Sequence, residues 1–202
     1  MSSAKVVEIR PIVYERVSIR IQGMTELILH NWSAKAKKEM LDKQMGKARP
    51  KKEAKDPTAE YEAAFYRLED GSPGFPVTGI KAAIAEAARS FEDLTMVELK
   101  RAIFVYADGT DAVNGLPLVR ILGEPRVRED MVRIGQGVAD LRYRPGFPQW
   151  EAGFDCEYNT ALLSAEQLFN LVNEAGRGGI GEWRPSAPKV KSGWAGTFRV
   201  VE

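Results

Sequence analysis

Residues 150–176, WEAGFDCEYNTALLSAEQLFNLVNEAG, change period part-way along. Trp150, Ala152, Phe154, Cys156 and Tyr158 recur at every second position, which is the pattern of a strand with one buried face. Ser164-Ala165-Glu166-Gln167 then forms a capping box, in which the Ser hydroxyl and the Gln side chain satisfy each other's free backbone donors. The helix it opens presents Leu168, Leu171 and Val172 on one side and is expected to stop at Gly176. A last strand is expected from Trp194 to Val201, so the second half of the chain reads strand, helix, strand.

The first half repeats the order. Between Tyr14 and Gln22 the residues alternate, with Val17, Ile19 and Ile21 opposite Arg16, Ser18, Arg20 and Gln22. Leu27, Ile28 and Leu29 lead into His30, Asn31 and Trp32, after which a helical start decays into Ala48-Arg49-Pro50-Lys51-Lys52. The stretch from about 33 to 60 is too polar for a core and reads as an insertion. Beyond the turn cluster 71–76, Thr78 is the expected N-cap of a helix whose buried stripe is Ile80, Ile84, Ala87, Ala88 and Phe91. Strands are expected at 102–106 and 116–122, and the Arg-rich residues 123–145 suggest a hairpin standing away from the core. Without the insertions, at about 33–70 and 123–148, the order is βαββαβ. The expected fold is thus α+β, a single ferredoxin-like domain over 1–202. Its sheet carries helices on one side, and in RNA-recognition domains of this shape the open face and its loops hold single strands.

The 202 residues are 44% hydrophobic and 28% charged, which excludes collagen, low-complexity and multidomain classes. One cysteine permits no intramolecular disulfide. The opening MSSAKVVEIR lacks a signal-type apolar segment, and no apolar run reaches membrane-spanning length. A soluble cytoplasmic protein without membrane contact is expected.

Net charge is +1, yet its distribution is uneven. Between Lys35 and Lys55, nine basic residues, among them Lys37 and Lys38, face only Glu39, Asp42 and Glu53. A second basic cluster is Arg120, Arg126, Arg128, Arg133, Arg142 and Arg144. Such segments in a neutral chain are either phosphate-binding arms or solvated loops.

The glycine loop is the sharpest local feature, with four glycines in residues 176–181. Gly178, Gly179 and Gly181 can bring backbone amides to one anion, with Arg177 and Arg184 beside them, or can simply stop a helix and turn the chain. Following a helix and lacking Gly-Lys-Ser/Thr, the loop is neither a dinucleotide fingerprint nor a P-loop. His30 is the sole histidine, so a triad or multi-histidine metal site is disfavoured. With Asn31 and Trp32 it could stack and bond a base, or anchor a turn. Cys156, on an apolar strand face, reads as packing, and no Asp/Glu spacing defines a metal centre.

Two segments together resemble the RAMP superfamily, the RNA-binding subunits of CRISPR effector complexes. Phe75-Pro76-Val77-Thr78-Gly79-Ile80-Lys81-Ala82-Ala83-Ile84 ahead of Ala87-Ala88-Arg89 is similar to the P-G-S-S-x-K-G-x-x-R opening of that family's first helix. Gly178–Arg184, with Gly193, Gly196 and Phe198, is similar to its C-terminal glycine-rich loop and strand. Thr78-Gly79 and Ala82 depart from the first motif. The resemblance implies a protein that assembles as a homo-oligomer or filament along single-stranded RNA or DNA, RNA favoured, with other effector subunits as further partners. Alternatives are a stand-alone or phage-encoded relative that coats RNA or single-stranded DNA, and a structural protein whose ring or filament forms without nucleic acid. Implied binding residues are His30, Asn31, Trp32, Lys35, Lys37, Lys38, Lys81, Arg126, Arg128, Arg133, Arg177, Gly178, Gly179, Gly181 and Arg184. Members that cleave RNA carry an aspartate after the first strand. Asp42 is the nearest candidate but its surroundings differ, so binding without cleavage, metal or cofactor is expected, with a metal-dependent endoribonuclease as the alternative.

Overall fold

A computed structural model describes residues 11–32, 34–47, 54–135, 138–188 and 190–201, the side chains of 34–36, 134, 135 and 138 excepted. Strand β1 (Tyr14–Gly23) lies beside β10 (Glu151–Asn159) in antiparallel register, Val17 opposite Cys156, Ile19 opposite Phe154 and Ile21 opposite Ala152. These inward residues and the aromatic rings of Trp150 and Tyr158 form the centre of the core. Their outward neighbours alternate in charge, so Arg16 meets Asp155 at 2.7 Å and Arg20 meets Glu151 at 3.7 Å.

On its far side β1 pairs with β11 (Phe198–Val201), and β10 pairs with β5 (Ile103–Val105) and β7 (Pro117–Leu122) along its other edge. The sheet continues from β7 to β4 (Pro73–Pro76) and β3 (Tyr66–Arg67), with β6 (Gly109–Thr110) also on β7. Every pairing is antiparallel. A second sheet joins β2 (Leu27–Ile28), β9 (Val138–Phe147) and β8 (Arg126–Gly135), the last two forming the expected hairpin.

Helices α3 (Val77–Glu86) and α5 (Ala165–Gly178) supply Ile80, Ile84, Leu168, Leu171 and Val172 to the core. Two boundaries differ from expectation. Because β4 runs straight into α3, Pro76 rather than Thr78 is the N-cap. The end of α3 tightens into a 3₁₀ turn at Ala87–Ser90, which leaves Phe91 extended and exposed instead of on the stripe.

At the other helix the Ser164 capping box is present, Ser164 N–H donating to Gln167 at 2.8 Å and Gln167 N–H to Ser164 Oγ at 3.2 Å. Gly176, however, is inside α5. A side chain there would strike the Phe198 carbonyl, so the residue serves close packing, and the helix stops at Gly179, φ +72°. Trp194 also lies outside the last strand, since its N–H donates to the Trp183 carbonyl at 2.8 Å and draws residues 194–196 onto the glycine loop.

The insertion after β2 contains α1 (Ala34–Gln44) and α2 (Pro57–Ala63). It is not wholly polar surface, because Tyr61 packs edge-on to Phe65 and Phe65 to the buried Phe147. A short helix α4 (Met96–Ala102), opened by a Thr95–Glu98 capping box, completes the set. Among the described residues no helix is long and apolar enough to cross a membrane.

Candidate nucleic-acid interface

Where α5 ends, the chain is stitched to its neighbours by the amides that could have cradled an anion. Gly179 N–H donates to Ala175, Ile180 N–H to Gly196 and Glu182 N–H to Ile28, all at 2.9–3.0 Å. Gly181 stands at φ +80°, and a Cβ there would lie 2.6 Å from the Ile28 carbonyl oxygen. Trp183 follows at φ +53°, the sole non-glycine at positive φ among the described residues. Arg184 braces the turn, its Nη1 donating to the Gly181 carbonyl at 3.0 Å and its Nε to Ser186 Oγ at 3.1 Å. The loop is therefore an internally bonded wall, in which the Gly179, Ile180 and Glu182 amides are engaged by the fold itself and Gly179 stops the helix.

That wall faces the first turns of α3 across a cleft of about 290 Å³. Thr78, Gly79, Ala82, Ala83 and Glu86 line one side, Ile180, Gly181, Glu182 and Arg184 the other, with His30, Tyr66, Phe75 and Pro76 between them. The two segments that carry the family resemblance, a hundred residues apart in sequence, thus meet in one place.

His30 sits at a junction of charges. Its Nδ1 lies 3.5 Å from Glu182 Oε1 and its Nε2 3.4 Å from Arg142 Nη1. Since the guanidinium can only donate, this arrangement places the ring proton on Nδ1. The His30 hydrogen bond holds the Glu182 carboxyl below the ordinary range against the opposing effect of burial, with Arg144 and Arg184 adding to it. Arg144 Nη1 approaches Glu182 Oε2 at 3.4 Å and Arg144 Nη2 approaches Asp130 at 3.3 Å, its side chain only 3% exposed. Burial pushes Arg144 below the usual guanidinium value, and the charges of Asp130 and Glu182 oppose it.

The same network reassigns two arginines of the hairpin. Arg126 grips Glu26 through Nε at 2.7 Å and Nη2 at 3.1 Å, and Arg128 bonds both Glu26 and, at 2.9 Å, Asp130. The Trp183 ring lies under Arg144 at 4.9 Å and Arg128 at 5.6 Å. Glu26, Asp130 and Arg144 are buried, Arg128 is half-buried and Arg126 lies exposed over Glu26; together these paired charges clamp the hairpin base to the glycine loop.

Other expected residues divide between structure and surface. Asn31 is structural, its Nδ2 donating to the Phe65 carbonyl at 2.9 Å. Lys81 is half-buried and does not line the cleft. Lys37 bonds Asn114 Oδ1, Lys38 is exposed, and the side chain of Lys35 lies outside the described residues. Trp32 and Arg133 are exposed, as is Arg177, 3.7 Å from Glu174, and Gly178 is half-buried. Asp42 bonds Lys47 at 2.7 Å, which holds its carboxyl below the ordinary range.

Cys156 is fully buried and its thiol is pushed up to about 12 by burial, as a packing cysteine requires. The open sheet face, expected to be available to a strand, carries paired charges. Asp155 accepts from both Arg16 and Ser18, and Arg16 covers the Tyr106 ring at 3.8 Å.

Sequence reasoning missed Glu182, Tyr66 and Glu86 as cleft residues. Glu182 stands inside the quoted glycine motif and was legible there as a carboxylate beside Arg184. Tyr66 carried no local signal, since only the pairing of β3 with β4 brings it to the cleft.

An antiparallel α+β fold thus carries one cleft between α3 and the glycine loop. No family model matches the chain, and no curated protein matches it in sequence. Among solved structures, a chain of the type III-B Cmr-beta complex bound to cognate target RNA superposes with a TM-score of 0.53 at 10% identity over 94% of this chain. This chain spans 59% of that one's length. Cmr6 from Pyrococcus furiosus aligns over 94% of this chain and 99% of its own at 10% identity and a TM-score of 0.43.

Proposed function

We propose that this protein is a CRISPR-associated, nucleic-acid-binding subunit of the RAMP kind, built on a ferredoxin-like palm, that holds a single strand and does not cleave it. The observation that carries the reading is the convergence of residues 78–86 and 180–184 on one cleft beside His30. The palm reading is supported by the strand order β11-β1-β10-β5, with α3 between β1 and β5 and α5 between β10 and β11. RNA is the favoured ligand because the neighbour of similar fold is bound to target RNA. Exposure of Lys38, Arg133 and Arg177 outside the clamp supports a role for them in meeting phosphates, while Arg126 and Arg128 pair with Glu26 and Asp130.

Binding without cleavage is supported by Asp42, whose carboxylate is bonded to Lys47 just beyond the end of α1. The test is anisotropy titration of labelled single-stranded RNA and DNA of one sequence, with the labelled strand then run on a denaturing gel in the presence of magnesium. Saturable binding of RNA with the strand left intact is expected. Failure to bind either strand at low salt would remove the proposal, and magnesium-dependent cleavage lost in Asp42→Ala would replace it with the nuclease reading.

A further inference from the structure

Resting on the single-strand reading, we propose that the cleft between α3 and the glycine loop receives one unstacked base and that Glu182 makes it a guanine slot. Its volume, about 290 Å³, is at the lower end of pockets that enclose small ligands and suits one base in place of a duplex. Phe75, Pro76 and Ile180 supply apolar wall. The polar lining favours a neutral occupant over a phosphate, because the carboxylates Glu182 and Glu86 border the space, paired with Arg144 at 3.4 Å and Arg89 at 3.2 Å, and Arg184 on the same wall is already bonded to Gly181 and Ser186.

A base edge is uncharged, and its N–H groups require acceptors. Glu182 is an ionised acceptor, held so by His30 and Arg144, and its side chain remains 40% exposed. Its Oε1 faces the His30 ring and its Oε2 faces Arg144, and each oxygen retains a lone pair for a ligand. Guanine is the base whose Watson–Crick edge offers two adjacent donors, N1–H and the N2 amino group, in the spacing of the two carboxylate oxygens. Uracil offers one N–H flanked by carbonyls that a carboxylate repels, and adenine and cytosine offer one amino group. On the same wall Arg184 uses Nε and Nη1 for Ser186 and Gly181, while Nη2 has no partner among the described residues and can donate to guanine O6.

The experiment compares, by anisotropy, a short oligouridylate with the same strand carrying a single central guanosine, adenosine or cytidine. The wild-type protein should bind the guanosine strand tighter than the uridine strand by on the order of tenfold, the discrimination of a bidentate base contact. Glu182→Gln, which replaces an acceptor by a donor, should bring that ratio to about one. Ala82→Leu fills the cleft from α3 without touching the ion pairs and should do the same, which keeps the test decisive where Glu182→Gln loses its fold. Equal binding of all four strands, preference for another base, or a guanosine preference that survives either substitution in a folded protein overturns the slot. Absence of binding to every strand overturns the single-strand reading instead.

Discussion

Gly181 shows how one residue can carry two opposite readings until its surroundings are known. At φ +80°, with the Ile28 carbonyl where a side chain would go, it is required by packing. Gly181→Val should therefore cost about 2 kcal/mol and lower the Tm by roughly 4–8 °C. Affinity of the protein that stays folded should change little, because the added side chain points at Ile28 and not into the cleft. Calorimetry and binding on the same variant check this, and an unchanged Tm with lost affinity would restore the phosphate cradle.

Glu26 is a buried carboxylate at the base of the hairpin, held by Arg126 and Arg128. Burial alone would raise its carboxyl, but the Arg126 hydrogen bond and the charges of Arg128 and Arg126 bring it below its ordinary 4.5. Its contribution is therefore complete above about pH 4.5, the unfolded value, and is lost as pH falls through the lower folded value. Thermal melts should fall off below that point in the wild type. Glu26→Gln should be weaker by about 3 kcal/mol at neutral pH, having left the half-buried Arg128 short of a partner, and should show a flatter acid profile.

At the level of elements, the two basic segments turn out to differ. The hairpin arginines nearest its base are paired with Glu26, Asp130 and Glu182, whereas α1 carries Lys37, Lys38 and Lys43 on a helix with no buried residue among its described side chains. If α1 meets phosphates, replacing Lys37 and Lys38 by Ala should flatten the plot of log K against log salt by about 1.4, from roughly 0.7 per contact on single strands. Charge reversal at Arg126 should act on the Tm instead of on that slope. The hairpin itself was legible from arginine density between two strands. Which arginines were structural was not, because their partners lie on the β1–β2 turn, a hundred residues from Arg126, and on a loop 38 residues from Arg144.

For the whole molecule, the prediction concerns assembly. A subunit that lines up along its ligand occupies a fixed length of strand, so light scattering with progressively longer oligonucleotides should give mass increments of one protomer at regular intervals. One size at every length would leave the chain a solitary binder.

By itself the sequence determined the local elements whose signal lies in neighbouring residues: β1, β10, the capped start of α5, β5, β7 and the order in which they come. Those follow from side-chain spacing, which acts over a few residues and needs no partner. It also marked the two motifs that border the cleft. Tertiary structure alone decided that they meet, that Tyr66 and Glu182 join them, and that the glycine loop's amides bond to Ile28 and Gly196. The reason is that a charge or an amide is fixed in its role by what stands within about 3 Å of it. That neighbour is set by strand pairing across the fold: Glu26 stands beside Arg126 because β2 pairs with β9, which in turn pairs with β8.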